Sequence, residues 1–260
     1  MIVTDLIYKN RSGETRKGFY MQGFLARNLY GVPAYLKKGW DFVTLFSGRA
    51  MVRVGKSTMA SQTGYFLAWL MAGGEMGLET GEVIKAPHKE VRFGLENYAF
   101  SPEQLHEKCM AAKEFDVVVY DEGRSGLEAS RYYEKTNKML EDLFQEIGFK
   151  HLIILVVLPD FFKLTDNMAT ARTNCLIDCF ADKKHKRGYF NFFNKMSKEV
   201  LYHKGKKMKG TQIRYTAAKP NFWGRFTDMM PFDKKEYDSL KNAAAEKKGS
   251  SRQKKFIEEK

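Results

Sequence analysis

The chain has 260 residues, enough for one large domain or one domain with a small appendage, and it is 43% hydrophobic, enough for a sizeable core. Its longest aliphatic run, "LIILVVL" at residues 152–158, is too short for a membrane span of about 20 residues. Lys and Arg number 44 against 31 Asp and Glu, a formal net charge of +13 that points to an anionic partner. No basic-then-apolar leader opens the sequence, and Cys109, Cys175 and Cys179 make neither an even disulfide framework nor a zinc knuckle. The expectation is a cytoplasmic protein in a reducing compartment, with no membrane span.

In chain order, residues 1–39 carry turn signals at Ser12-Gly13 and Gly31-Val32-Pro33 and form a short lead-in. "WDFVTLF" at residues 40–46 predicts a buried strand, and residues 57–72 predict a helix ended by Gly73-Gly74. "EVRFGLENYAF" at residues 90–100 predicts a further strand. Ser101, Pro102 and Glu103 open a helix as cap, first-turn proline and first-turn acid. "FDVVVYDEG" is an apolar strand that ends in two carboxylates, followed by a long helix with Met139, Leu140, Leu143, Phe144 and Ile147 at helical spacing. "HLIILVVLPDFF" is the next strand, "LTDNMATAR" a short helix and "NCLIDCFA" another strand. Apolar strands alternating with helices predict an α/β fold: a mostly parallel sheet covered by helices on both faces. "RGYFNFFN" and "KEVLYHKG" predict exposed antiparallel strands, so residues 183–240 are expected to form a basic, β-rich extension. Residues 241–260 are expected to form a mobile polar tail, leaving residues 40–182 as the core.

Between the first buried strand and its helix lies "GRAMVRVGKST". A strand, a tight loop of inward-facing N–H groups and a helix N-terminus form a phosphate-binding arrangement. The nucleotide-binding stretch would be Ala50, Met51, Val52, Arg53, Val54, Gly55, Lys56, Ser57 and Thr58. Lys56 would reach the β- and γ-phosphates and Ser57 would ligate Mg²⁺. Ala50 stands where the leading glycine is usual, and Val54 where a smaller residue is common; Gly48 is placed to restore flexibility.

The second constellation is Asp121-Glu122, at the carboxyl end of a buried strand, the edge where parallel sheets bind ligands. Asp121 can hold Mg²⁺ through water and Glu122 can polarise an attacking water. That pairing favours hydrolysis over phosphate transfer to a small molecule. Charge on the transferred phosphoryl group calls for an arginine, with Arg172 the first candidate, then Arg124 and Arg131.

Residues 183–219 hold twelve Lys or Arg against one acid, Glu199. Clustered cations attract a phosphate backbone. Tyr189, Phe190, Phe192, Phe193, Tyr202 and Tyr215 lie among them and are either base-stacking platforms or the apolar face of a hairpin.

The order "GRAMVRVGKST", "VVVYDEGRSG", long helix and "HLIILVVLPDFFKLTDNMATARTNCLIDCF" resembles the FtsK/HerA division of P-loop ATPases over residues 40–182. That division spans DNA translocases, conjugative coupling proteins, viral packaging ATPases and zonular-occludens-toxin-like proteins. The resemblance implies a RecA/FtsK-like P-loop NTPase fold and an ATP- and Mg²⁺-dependent hydrolase that moves or packages DNA. Such proteins form rings, usually hexamers, with an arginine acting in trans. Lys56, Glu122, Arg172 and Arg124 would then be catalytic, and Ser57 and Asp121 would hold the metal. Members often place a glutamine sensor at the end of the strand that here leads to "LPD", where Asp160 is the nearest polar group. The compact chain, with little room for a nuclease, suits a viral or mobile element, acting in the host cytoplasm with a capsid or other protein partner. The competing reading is a basic nucleic-acid adaptor with a degenerate nucleotide site.

Overall fold

A computed structural model describes residues 2–9, 14–77, 79–80, 82–121, 129–146, 148–182 and 184–258. An antiparallel hairpin, β1 (Ile2–Lys9) and β2 (Thr15–Tyr20), leads into helices α1 (Gly23–Tyr30) and α2 (Val32–Leu36). Strand β3 (Phe42–Ser47) and helix α3 (Lys56–Met71) flank the glycine-containing loop. A small hairpin, β4 (Glu75–Met76) with β5 (Val83–Lys85), precedes β6 (Tyr98–Ala99), α4 (Pro102–Ala111) and β7 (Val117–Asp121). Then come α5 (Ala129–Glu146), β8 (Ile153–Val157), α6 (Asp166–Thr170) and β9 (Cys175–Phe180). The chain closes with β10 (Tyr189–Phe193), α7 (Lys195–Lys206), α8 (Thr211–Arg214), β11 (Phe222–Arg225) and α9 (Lys234–Glu258).

The central sheet has seven strands in the order β11-β10-β9-β3-β8-β7-β6. The five from β9 to β6 run parallel; β10 is antiparallel to both β9 and β11. Alternate residues of each strand face opposite ways. Val117, Val119, Ile153, Leu155 and Ile177 pack in one layer with residues from α1, α2 and α3, such as Leu25, Leu36, Phe66 and Trp69. Val118, Tyr120, Ile154, Val156 and Leu176 pack in the other with Leu105, Leu140, Met168 and Leu201 from α4 to α7. Both faces are covered, which is why these strands are mostly apolar on both faces. The protein is an α/β protein with a mostly parallel sheet flanked by helices.

Three expectations are corrected. Residues 90–100 contain only the two-residue strand β6, preceded by a 3₁₀ turn at Leu95–Asn97. "KEVLYHKG" is helix α7, capped by Asn194, whose side chain accepts from the Ser197 amide. Residues 183–240 are therefore not a β-rich extension: β10 and β11 extend the main sheet, and α7 packs on it. Residues 241–258, expected as a tail, continue α9.

Candidate functional site

The register brings five side chains to the carboxyl edge of the parallel strands. Phe46 and Asp121 both pair with Val157, and Ser47 pairs with Asp178. The loop between β3 and α3 rises from this edge. Its backbone takes positive φ at Arg49 (54°), Ala50 (58°), Arg53 (60°) and Gly55 (95°). Left-handed backbone disfavours side-chain-bearing residues, so three of these four cost about 1 kcal/mol each and are held by their surroundings. The Ala50 amide donates to Pro159 O at 3.0 Å, and the Met51 amide to Gly48 O at 2.6 Å. Among the described residues no acceptor meets the amides of Val52, Arg53, Val54 or Gly55. A row of such donors beside a helix N-terminus is a concave anion site.

The loop's departures from the usual pattern resolve simply. Val54 is buried and packs into the core, so its bulk points away from the donors. The left-handed turn expected of glycine falls on Arg49 and Ala50, not on Gly48. What Gly48 supplies is room, since a Cβ there would lie 3.1 Å from Lys56 Nζ and 2.7 Å from a Val54 methyl. Lys56 lies back along the loop and donates to Met51 O at 2.9 Å. Gly55 is covered by the Phe226 ring, which a Cβ would approach to 2.8 Å.

Asp121, at the end of β7, is almost wholly buried. Its two oxygens are taken by residues of α9. Tyr237 donates its hydroxyl to Oδ2, and Lys241 donates its ammonium to Oδ1 at 2.8 Å. The same ammonium lies 3.3 Å from Ser57 Oγ. Burial, then the Asp121 charge, pushes the Tyr237 phenol well above its ordinary value, so it stays a neutral donor. Tyr237 is locked by Tyr98, Phe100 and Phe232, with ring centroids 5.5 to 5.8 Å away. Gln62 fastens the preceding segment to α3 through Thr227 O (2.8 Å) and Met229 O (3.1 Å).

Two polar residues at the root of the loop were not anticipated. The Arg49 guanidinium donates to Asp178 Oδ2 at 2.9 Å and stacks 4.7 Å from the Phe180 ring. Burial pushes the Asp178 carboxyl up to about 6, while Arg49 pulls it down. Tyr215 donates to Asp160 Oδ1 (3.2 Å), accepts from the Phe161 amide (2.9 Å) and pairs with Ser47 Oγ. Asp160 also caps the 3₁₀ turn that follows it, accepting from the Phe162 amide at 3.1 Å. It is a structural cap, wired to the loop strand through Tyr215.

The structure thus brings Ser57 and Asp121 together through Lys241, while Lys56, next to Ser57 in the chain, turns back to Met51 O. Glu122 and Arg124 lie outside the described residues, as does the side chain of Arg131. Arg172 is not beside this site. It is exposed and precedes the start of β9, where Asn174 pairs with Val43 at the opposite edge of the sheet.

The basic segment is rearranged as well. Phe190, Phe192, Phe193, Tyr202 and Tyr215 are core residues and offer no face to a base. Lys198 is fully buried. Lys184, Lys186, Arg187, Lys195, Lys204, Lys206, Lys207, Lys209 and Lys219 remain exposed. Among the described residues no helix is long and apolar enough to cross a membrane. No family model, curated protein or solved structure matches the chain.

Proposed function

We propose that the protein is a P-loop ATPase, Mg²⁺-dependent, that moves or packages DNA as a ring-forming oligomer. The observation that carries the site is a single cation, the Lys241 ammonium, held between Asp121 Oδ1 and Ser57 Oγ. A carboxylate and a hydroxyl already sharing one positive charge suit a hard divalent cation, which completes its shell with water and phosphate oxygens. Bound there, Mg²⁺ would neutralise charge on the β- and γ-phosphates. The chain's own groups do the rest. Lys56, released from Met51 O, pairs with the phosphates, and the amides from Val52 to Gly55 orient them. Glu122 polarises the attacking water, and Arg172 of a neighbouring copy meets the developing charge. The exposed cations of residues 184–219 supply the DNA contacts.

The test is Mg²⁺-dependent ATP hydrolysis with and without DNA, beside Lys56→Ala. DNA-stimulated turnover in the native chain, lowered at least about a hundredfold by Lys56→Ala, is expected, because one charge-stabilising donor is commonly worth that much. The adaptor reading is favoured by one observation, that a lysine holds the cation position, and it predicts DNA binding with no turnover at any Mg²⁺ concentration.

A further inference from the structure

Lys241 belongs to α9, 120 residues beyond Asp121, yet its ammonium contacts the two side chains suited to the metal. One turn earlier, Tyr237 is buried among aromatic rings, which fixes the base of the helix. The Lys241 side chain is about a quarter exposed, so its ammonium can swing into solvent while Tyr237 stays in place. Phe226, from the same C-terminal region, covers Gly55 of the loop. Two separate contacts from residues 222–241 therefore close on the nucleotide site.

We propose that Lys241 is an internal competitor for the divalent cation, an autoinhibitory contact that keeps the site closed until Mg²⁺-nucleotide displaces it. This rests on the nucleotide-site reading above. Electrostatics dictates the exchange. The Asp121 carboxylate is almost wholly buried, and a buried carboxylate calls for a positive partner. Lys241 is that partner in the closed state, and the metal replaces it in the open one. The ammonium and the metal need the same oxygens, so each weakens the other's hold by the same factor. Tyr237 serves both states, because a neutral phenol donating to Oδ2 leaves Oδ1 for whichever cation arrives. Any partner that draws α9 away would raise the metal affinity of the site.

The experiment titrates Mg²⁺ into the full chain with a fluorescent ATP analogue, for native protein, Lys241→Met, Lys241→Gln and Lys56→Ala. Thermal melts with EDTA and with Mg²⁺-ATP accompany it. The expected result is half-saturation by Mg²⁺ at a concentration about tenfold lower in both Lys241 variants, the shift given by removing a competitor worth one factor of ten. In EDTA both variants should melt below the native chain, because Asp121 has lost its partner, and Mg²⁺-ATP should reverse that order. An unchanged Mg²⁺ midpoint in both, with binding still lost in Lys56→Ala, overturns the competitor and leaves the nucleotide site standing. No nucleotide binding by the native chain or by either Lys241 variant overturns both.

Discussion

Lys198→Met should lower the unfolding free energy by about 3 kcal/mol, because it strips hydrogen bonds from several buried acceptors at once. Lys198 comes from α7 and has no exposed surface. Its ammonium donates to Ala169 O (2.5 Å), Thr170 O (3.1 Å), Thr173 O (2.9 Å) and Thr173 Oγ1 (2.6 Å). These carbonyls end α6 and carry the chain into β9, so one cation satisfies a buried helix terminus. Methionine fills the volume and offers no donor. In a chain of this size the loss corresponds to a fall of roughly 8 °C in melting temperature. The pH dependence gives a second signature. Burial lowers the Lys198 amine from 10.5 to about 8, so between those values the unfolded chain binds more protons than the native one. This group therefore adds stability as pH rises through that window, and the added stability should vanish in Lys198→Met. Calorimetry of both proteins from pH 7.5 to 10 checks the magnitude and the slope. Equal melting temperatures at pH 7.5 would mean the carbonyls find other donors.

Lys198 also shows where sequence reasoning stops. Charge counting adds it to the cations expected to meet a phosphate backbone, and its neighbours Val200, Leu201 and Tyr202 look like strand residues. The buried set is Lys198, Leu201, Tyr202 and Gly205, a helical spacing behind the Asn194 cap. That spacing was legible, but one member of the apolar stripe is a lysine, so the stripe looked broken. The strands β3, β7, β8 and β9 were legible because burial on both faces leaves no polar alternation to misread. Helix α5 was legible through Leu140, Leu143 and Phe144, which are buried in one row. Residues 90–100 misled because Val91, Phe93 and Leu95 alternate like a strand, while only Tyr98 and Ala99 pair with β7.

The site divides in the same way. Lys56, Ser57 and Asp121 were candidates from the sequence because loop chemistry and strand-end carboxylates are local signals. Lys241 and Tyr237 carry no local signal, being an ordinary lysine and tyrosine of a polar helix. Only the fold places them on Asp121. Arg49 had a clue, since it stands inside the loop, but its partner Asp178 lies 129 residues away. Asp178 sits in "NCLIDCF" as the single charge of a buried strand, and a charge in that setting calls for a partner.

That pair yields the second large effect. Arg49→Ala should destabilise the protein by roughly 3 kcal/mol at pH 7.5, the scale for removing one member of a buried ion pair. Backbone strain is not the cause, because alanine inherits the same positive φ that arginine already bears at this position. The cause is Asp178, which has no exposed surface and loses the guanidinium that offsets the cost of burying its carboxylate. The sign with pH follows from the raised carboxyl. Burial places Asp178 at about 6 instead of 3.8 even with Arg49 beside it, so the native state binds the proton first. This group's stability is fully present below pH 3.8 and is lost as pH rises through 6. Without Arg49 the carboxyl moves higher still, so the gap between variant and native protein should be widest near pH 7.5 and shrink toward pH 5. Arg49→Ala with Asp178→Asn should recover much of the loss, since no charge is left to strand. Denaturant melts of the four proteins at pH 5 and 7.5 measure the coupling. A gap that does not change with pH, or a double variant as weak as Arg49→Ala, would mean that Arg49 acts through its stacking on Phe180. Because the pair ties the loop's first turn to β9, the same loosening should weaken the nucleotide binding proposed above at pH 7.5 with Lys56 and Ser57 untouched.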